Sequence, residues 1–144
     1  MKNQFPDNVL LLLATLFYQR VSIKGRTRFQ KTIFLLREKY GVPFSFKFRP
    51  YYYGPYSEDL SDLISVLKAI NIVNEFPEEL GLGITRYNYQ LTERGKKYFK
   101  ELQRSAEDRT LDTLHELEES VHLVNRMNTP ALISTAKAVM NQKY

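Results

Sequence analysis

The segment "YNYQLTERGKKYF", from Tyr87 to Phe99, joins two elements and determines how they meet. It continues the alternating stretch "ITRYNYQL", whose side chains point to two faces in turn, the pattern of a half-buried strand. Thr92 is a preferred residue for capping a helix N-terminus, and "ERGKKYFKEL" follows it. The segment therefore predicts a strand, a cap and a helix in direct succession, with Gly95 inside the helix at some cost in helix propensity.

In the stretch upstream of this strand, turn-forming and helix-capping residues mark where the elements begin and end. "IVNEF" predicts a short strand, and "PEELGLG" predicts a loop because it holds three turn-forming residues. Ser57 opens the predicted helix "SEDLSDLISVLKAIN", which has acidic residues in its first turn and ends near Asn71. After Pro43, "FSFKFR" alternates phenylalanine with polar residues and predicts a further half-buried strand.

The N-terminal part predicts two helices. Asp7 is a suitable cap for the first, which continues to about Arg20 and contains the apolar run "VLLLLATLFY". That run is about half the length needed to cross a bilayer and no cleavage site follows it, so we expect a buried helix and no signal peptide. Ser22 or Thr27 opens the second helix, "RFQKTIFLLREKY", and Gly41 stops it.

The C-terminal part is predicted to be helical. "SAEDRTLDTLHELEESVHLVNRM" carries leucines and valines near one stripe from Leu111 to Val124, and Thr129-Pro130 opens a last helix. We divide the chain into a domain over residues 1–104 and helical extensions over 105–144. These helices either clamp the domain, pack on the first helix or pair with a second copy; the resemblance to winged-helix proteins described below implies the last, a homodimer.

The predicted order is helix, helix, strand, helix, strand, loop, strand, helix. This is the order of a winged helix-turn-helix, so we expect an α+β, mainly helical fold with two N-terminal helices and a C-terminal helical extension. From Ser57 to Phe99 the wing strands and the "LTERG" start of the next helix resemble winged-helix regulators of the PadR and MarR kinds. "RFQKTIFLL" followed by "YYYGPYSEDLSDLI" resembles the pattern of YwgA-like proteins and Panacea (SocA-like) antitoxin domains. These resemblances imply a winged-helix fold and either DNA binding or protein binding as an adaptor or antitoxin.

The net charge of +5 is unevenly distributed along the 144 residues. The net charge is +8 over residues 20–49 and +4 over 86–104, while 50–85 and 105–126 carry −5 and −4. Folding could unite the two basic segments into one positive face for double-stranded DNA, centred on the N-terminus of the second helix. A solvated basic surface is the alternative interpretation. The candidate nucleic-acid contacts are Lys24, Arg26, Arg28, Lys31, Lys47, Arg49 and Arg86.

The tyrosine-rich stretch "RPYYYGPYSEDL" has two interpretations. It is either a corner that holds a strand against a helix or a surface that binds a protein partner through outward-facing rings. Glu58, Asp59 and Asp62 open the helix that would read DNA, and carboxylates at that position repel phosphates. The candidate partner contacts are Tyr51, Tyr52, Tyr53, Tyr56 and Asp59.

The residue types do not indicate an enzyme. The chain has no cysteine, and its two histidines, His115 and His122, lie roughly 10 Å apart along one predicted helix. We find no phosphate-binding loop or nucleophile motif, and so predict no catalytic residues, no metal and no cofactor. The lack of cysteine fits a reducing, cytoplasmic location. We expect a transcriptional regulator that binds DNA and not membranes; the alternative is a protein-interaction module that does not read DNA.

Overall fold

The structure, a computed structural model, describes residues 5–19 and 21–143. It confirms an α+β, mainly helical chain, with six helices and five strands in that part. In chain order they are α1 Phe5–Phe17, β1 Ile23–Lys24, α2 Arg26–Glu38, β2 Arg49–Tyr51, β3 Gly54–Tyr56, α3 Glu58–Ala69, β4 Val73–Gly81, β5 Ile84–Leu91, α4 Glu93–Arg104, α5 Asp108–Asn125 and α6 Thr129–Lys143. Arg20, near which we predicted the end of the first helix, lies outside the described residues.

One apolar cluster holds the helices together. α1 is buried from Asn8 to Leu16 and packs against α4 and α5, while α2 packs against α5 and α6. Leu117 of α5 and Leu132 of α6 are fully buried in the same cluster, whereas Leu111 lies at its exposed edge. The division after residue 104 coincides with the end of α4 and stays a prediction. No helix in residues 5–19 and 21–143 combines the length and the apolar content needed to span a membrane.

Two predicted helix starts were wrong. α1 begins at Phe5, so Asp7 lies inside its first turn. α2 begins after Gly25, which adopts a φ of 104° and makes no side-chain cap, so neither Ser22 nor Thr27 precedes the helix directly. Gly25 fits this position because β1 pairs with β5 immediately before it, and the chain must turn sharply into the helix.

The three-stranded sheet has the order β1-β5-β4. The bounds of β5 agree with the prediction, but β1 was missed, and the predicted loop over 77–83 was wrong because β4 continues to Gly81. Pro77 is accommodated since β4 is an edge strand and one of its sides needs no hydrogen bond. β4 and β5 thus form a long hairpin with a two-residue loop.

The predicted strand over "FSFKFR" was also wrong. The phenylalanines are buried in alternation, but residues 44–48 pair with no strand of the described chain. Side chains from other elements bind this backbone instead, and so satisfy groups that a sheet would otherwise satisfy. The bonds join Ser45 N–H to Asn8 Oδ1 at 3.0 Å, the Arg37 guanidinium to the Phe46 carbonyl, and Lys47 N–H to Asp59 Oδ2 at 3.1 Å.

The junction between β5 and α4 confirms the cap at Thr92. Its hydroxyl accepts a hydrogen bond from Gly95 N–H at 2.9 Å and donates to the Asn71 carbonyl at 2.7 Å. A Cβ on Gly95 would lie 2.1 Å from the carbonyl oxygen of Ile72. The glycine is therefore required because α4 approaches the chain that leaves α3 too closely for any side chain.

Candidate functional site

The tyrosine hairpin, residues Arg49–Tyr56, consists of β2 and β3 paired antiparallel, with Tyr52 and Tyr53 at its turn. Tyr51, Tyr52 and Tyr53 are 49 %, 81 % and 62 % exposed. Gly54 and Pro55 on the other strand are buried, and a Cβ on Gly54 would lie 3.2 Å from Cγ of Lys137 on α6. One edge of the hairpin thus packs on the fold while three consecutive rings face solvent.

Gln30 of α2 fixes the end of this hairpin to the start of α3. Its side-chain amide donates to the Ser57 carbonyl at 3.0 Å, and its oxygen accepts from the Ser57 amide at 2.8 Å. Ser57 in turn caps α3 by accepting from Leu60 N–H at 3.2 Å, which confirms the predicted helix start. Both backbone groups of a buried residue are satisfied by one side chain 27 positions away.

The hairpin cavity is a partly open space of about 350 Å³ between α2, the tyrosine hairpin, α3, β4 and β5. Its walls combine aromatic rings, two hydroxyl groups that bond each other, and charged side chains. The polar and charged side chains in these walls include Arg26, Lys31, Tyr56, Ser61, Lys68 and Glu75.

Lys31 lines the hairpin cavity and is only 3 % exposed. It makes no ion pair or hydrogen bond within residues 5–19 and 21–143. Burial, reinforced by the nearby charge of Lys137, lowers the pKa of Lys31 to about 8. The amine therefore pays a desolvation cost that no counter-ion in this part of the chain offsets.

Glu75 also lines the cavity and is bound by two cations. Its Oε1 lies 3.3 Å from the Arg26 guanidinium and 3.0 Å from Lys68 Nζ. Desolvation works against ionisation here, but hydrogen bonds from Tyr89, Lys68 and Arg26 outweigh it and lower the pKa of Glu75. Arg26 also stacks on the Tyr87 ring, 4.0 Å from its centroid. Glu75 is thus an ionised carboxylate with its partners already in place.

Three of the predicted nucleic-acid contacts are arginines that bind carboxylates. Besides Arg26, Arg49 lies 2.7 Å from Glu58, and Arg86 lies 2.7 Å from Glu78. Arg49 also approaches the rings of two hairpin tyrosines. None of these pairs was predicted: Glu75 lies 49 residues from Arg26, whereas Glu58 and Glu78 lie 9 and 8 residues from their arginines.

The other predicted contacts are dispersed. Lys31 is buried in the hairpin cavity, and Arg28 donates to the Met127 carbonyl at 2.7 Å. Lys24 and Lys47 are exposed and make no ion pair with the described residues. Lys24, Arg28 and Arg86 line one depression, whereas Arg26 and Lys31 line the hairpin cavity; nucleic-acid binding by these residues stays a prediction.

The basic cleft is a wider depression of about 870 Å³ between β1, the N-terminus of α2, and the turn joining α5 to α6. Lys24, Arg28, Arg86, His122 and Arg126 line it, and no acidic residue of the described chain does so. Nε of Arg86 is buried there without a hydrogen-bond partner. His122 and Arg126 were not among our candidates, because only the turn after α5 brings them beside β1.

Two further surfaces bear on function. The outer face at the start of α3 exposes Glu58, Asp59 and Asp62. The tip of the β4–β5 hairpin is apolar, and Leu82, fully exposed, adopts a left-handed φ of 54°. Ile84 is also exposed beside it. A DNA-reading helix and wing would be expected to carry cations at these positions.

The chain is similar to the uncharacterised protein YwgA of Bacillus subtilis (strain 168). The two sequences are 36 % identical over 86 residues, which is 60 % of this chain and 51 % of YwgA. The chain therefore spans about half the length of this curated relative. No family model matches the chain. The likeness supports a YwgA-like relationship and leaves activity and partners open.

Proposed function

We propose that this chain is a protein-interaction module of winged-helix type that binds a partner protein through the tyrosine hairpin. The observation that carries the proposal is the set of three consecutive exposed tyrosines on a hairpin whose other strand is buried. Tyrosine supplies a large contact area at low conformational cost and is enriched among residues that dominate binding energy.

The winged-helix assignment is supported by the strand pairing. β1 lies between α1 and α2 and pairs with β5, while α3 is followed directly by the β4–β5 hairpin. A helix-turn-helix joins its two helices by a turn of a few residues, whereas residues 39–57 separate α2 from α3 here. The tyrosine hairpin belongs to this insertion, which is how such a domain would acquire a second binding surface.

Charge is the reason to prefer a protein partner over DNA. The face that would enter the major groove exposes three carboxylates, of which Glu58 alone is neutralised, by Arg49. The arginines proposed to contact phosphates would have to exchange Glu58, Glu75 or Glu78 for a phosphate. Each exchange forfeits an existing pair, so the net gain in DNA affinity would be small.

The test compares the capture of a partner protein by the full wild-type chain and by full-length variants that each lack one exposed ring. Immobilised wild-type protein is expected to retain a protein from its source cells saturably, and each of Tyr52→Ser and Tyr53→Ser is expected to weaken binding of that purified partner about tenfold. Leu123→Ser is the matched control, because Leu123 is an exposed apolar residue on α5. Equal retention by all four proteins would refute the hairpin as the binding surface.

DNA binding through the basic cleft is the second candidate, and it is favoured by the five basic or histidine side chains that line that depression. Anisotropy of a random duplex of about 30 base pairs between about 50 and 300 mM salt tests it. Micromolar affinity with a steep salt slope that flattens in Lys24→Ala and Arg126→Ala would support this candidate. The predicted homodimer remains a separate proposal, and sedimentation showing only the 17.0 kDa species would contradict it.

A further inference from the structure

The hairpin cavity holds a cation that the described chain does not neutralise. Lys31 follows Gln30 on α2, and the two side chains differ sharply in their bonding. Gln30 binds both backbone groups of Ser57 and Ser61 Oγ, whereas Lys31 has no partner among residues 5–19 and 21–143. A buried ammonium without a counter-ion is costly, so its presence beside an open cavity indicates a ligand of opposite charge.

The charged groups around Lys31 also favour an anion. Arg26 and Lys68 both bind Glu75 Oε1, the one carboxylate that lines the cavity within the described residues. Lys137 of α6 adds a further positive charge near Lys31: a Cβ built on Gly54 would lie 3.2 Å from Cγ of Lys137 and 3.6 Å from Cε of Lys31. Two of the three cations that line the cavity, Arg26 and Lys68, are therefore already engaged by Glu75, and Lys31 is left without a counter-ion among the described residues.

We propose that the hairpin cavity binds a carboxylate group, with the Lys31 ammonium as its counter-ion. A volume of about 350 Å³ lies at the lower end of the range for small-molecule sites. Tyr51, Tyr53 and Tyr56 supply aromatic walls and Ser61 supplies a hydroxyl. The carboxylate belongs either to a free organic acid or to an acidic side chain of a bound protein.

This inference goes beyond the proposed function: Tyr51 and Tyr53 belong both to the exposed face of the hairpin and to the cavity wall, whereas Lys31 is buried and lines the cavity. The lowered pKa of Lys31 supports it, because a bound anion would replace the solvation that burial removes and would raise that pKa again. The signal of the Lys31 ε-carbon therefore reports binding directly, through its titration in a ¹³C-labelled protein.

The experiment titrates the full chain with acetate, benzoate and the peptide acetyl-Gly-Gly-Glu-Gly-Gly-amide. Benzamide and the peptide with Gln in place of Glu are the uncharged counterparts. We expect at least one carboxylate to raise the apparent pKa of Lys31 and to bind at least tenfold more tightly than its counterpart. Binding of benzoate or acetate alone identifies a free acid as the source, and binding of the Glu peptide identifies an acidic side chain.

Two variants complete the test. Lys31→Met is expected to remove at least nine-tenths of the carboxylate binding while remaining folded, because it removes a buried charge. Lys97→Met, which removes an exposed lysine that lines neither the hairpin cavity nor the basic cleft, is expected to bind as the wild type does. The proposal is overturned if none of the three carboxylates moves the Lys31 signal, or if a folded Lys31→Met protein binds them unchanged.

Discussion

Replacement of Lys31 by methionine is expected to stabilise the protein, by an amount that depends on pH. The pKa of Lys31 falls from the ordinary 10.5 to about 8 because the amine is buried beside Lys137. A difference of this size corresponds to about 3 kcal/mol of folding free energy. Methionine has a similar length and no charge, so it removes this cost and keeps most of the packing.

The direction of this pH dependence follows from the number of protons bound by the folded and the unfolded chain. Between about pH 8 and 10.5 the unfolded chain holds a proton at Lys31 that the folded chain has released. Wild-type stability therefore rises with pH through this window, whereas the contribution of position 31 in Lys31→Met is constant. The advantage of the variant is largest below pH 8 and shrinks by about 3 kcal/mol toward pH 10.5.

Urea unfolding of both proteins at about pH 7, 8.5 and 10 measures the effect, and the difference between them cancels the titration of every other group. Lys24→Met is the control; Lys24 is exposed, so its replacement should change stability by less than about 0.5 kcal/mol at each pH. If Lys31→Met is less stable than the wild type at pH 7, or if the difference is the same at all three values, the amine is not a buried, unpaired cation.

Three further substitutions test the fold and the support of the hairpin cavity. Gly95→Ala should cost about 2 kcal/mol or more in urea unfolding, because its Cβ would lie 2.1 Å from the Ile72 carbonyl oxygen; an unchanged midpoint would mean that α4 is free to move away. Gln30→Ala should cost about 1 to 3 kcal/mol by leaving the backbone N–H of buried Ser57 without its partner, while the Ser57 carbonyl keeps its bond from Ser61 N–H, and amide exchange at the start of α3 should accelerate. Leu82→Asn should stabilise the protein by about 0.5 to 1 kcal/mol, since asparagine tolerates the φ of 54° better than leucine; a loss in melting temperature would contradict this.

The elements that sequence predicted correctly depend on neighbouring residues. Thr92 and Ser57 cap the helices that follow them, and each does so through a hydrogen bond to a backbone amide three positions on. The alternation in "ITRYNYQL" gave the bounds of β5 because one face of that strand packs against the core. Each of these sequence patterns, a helix cap or a strand alternation, is contained within about ten consecutive residues.

The wrong predictions concern segments whose structure depends on residues that are distant in sequence. β1 exists because β5 lies beside it, and β4 extends through Pro77 because the sheet ends there. Residues 44–48 had the correct alternation, but side chains of α1, α2 and α3 took the place of a neighbouring strand. In the candidate site, the tyrosines were identified from composition, whereas Glu75, the acid partner of Arg26, lies 49 residues away in sequence and became visible only in three dimensions.

The two interpretations of the tyrosine stretch are compatible, since they concern different residues of one hairpin. Gly54 and Pro55 form the corner, held against α2 and α6, and Gln30 fixes where the corner meets α3. The rings at Tyr52 and Tyr53 extend from that support into solvent. A surface that is already held in position loses little conformational entropy on binding, so the interactions that make the stretch a corner also favour its use as a binding surface.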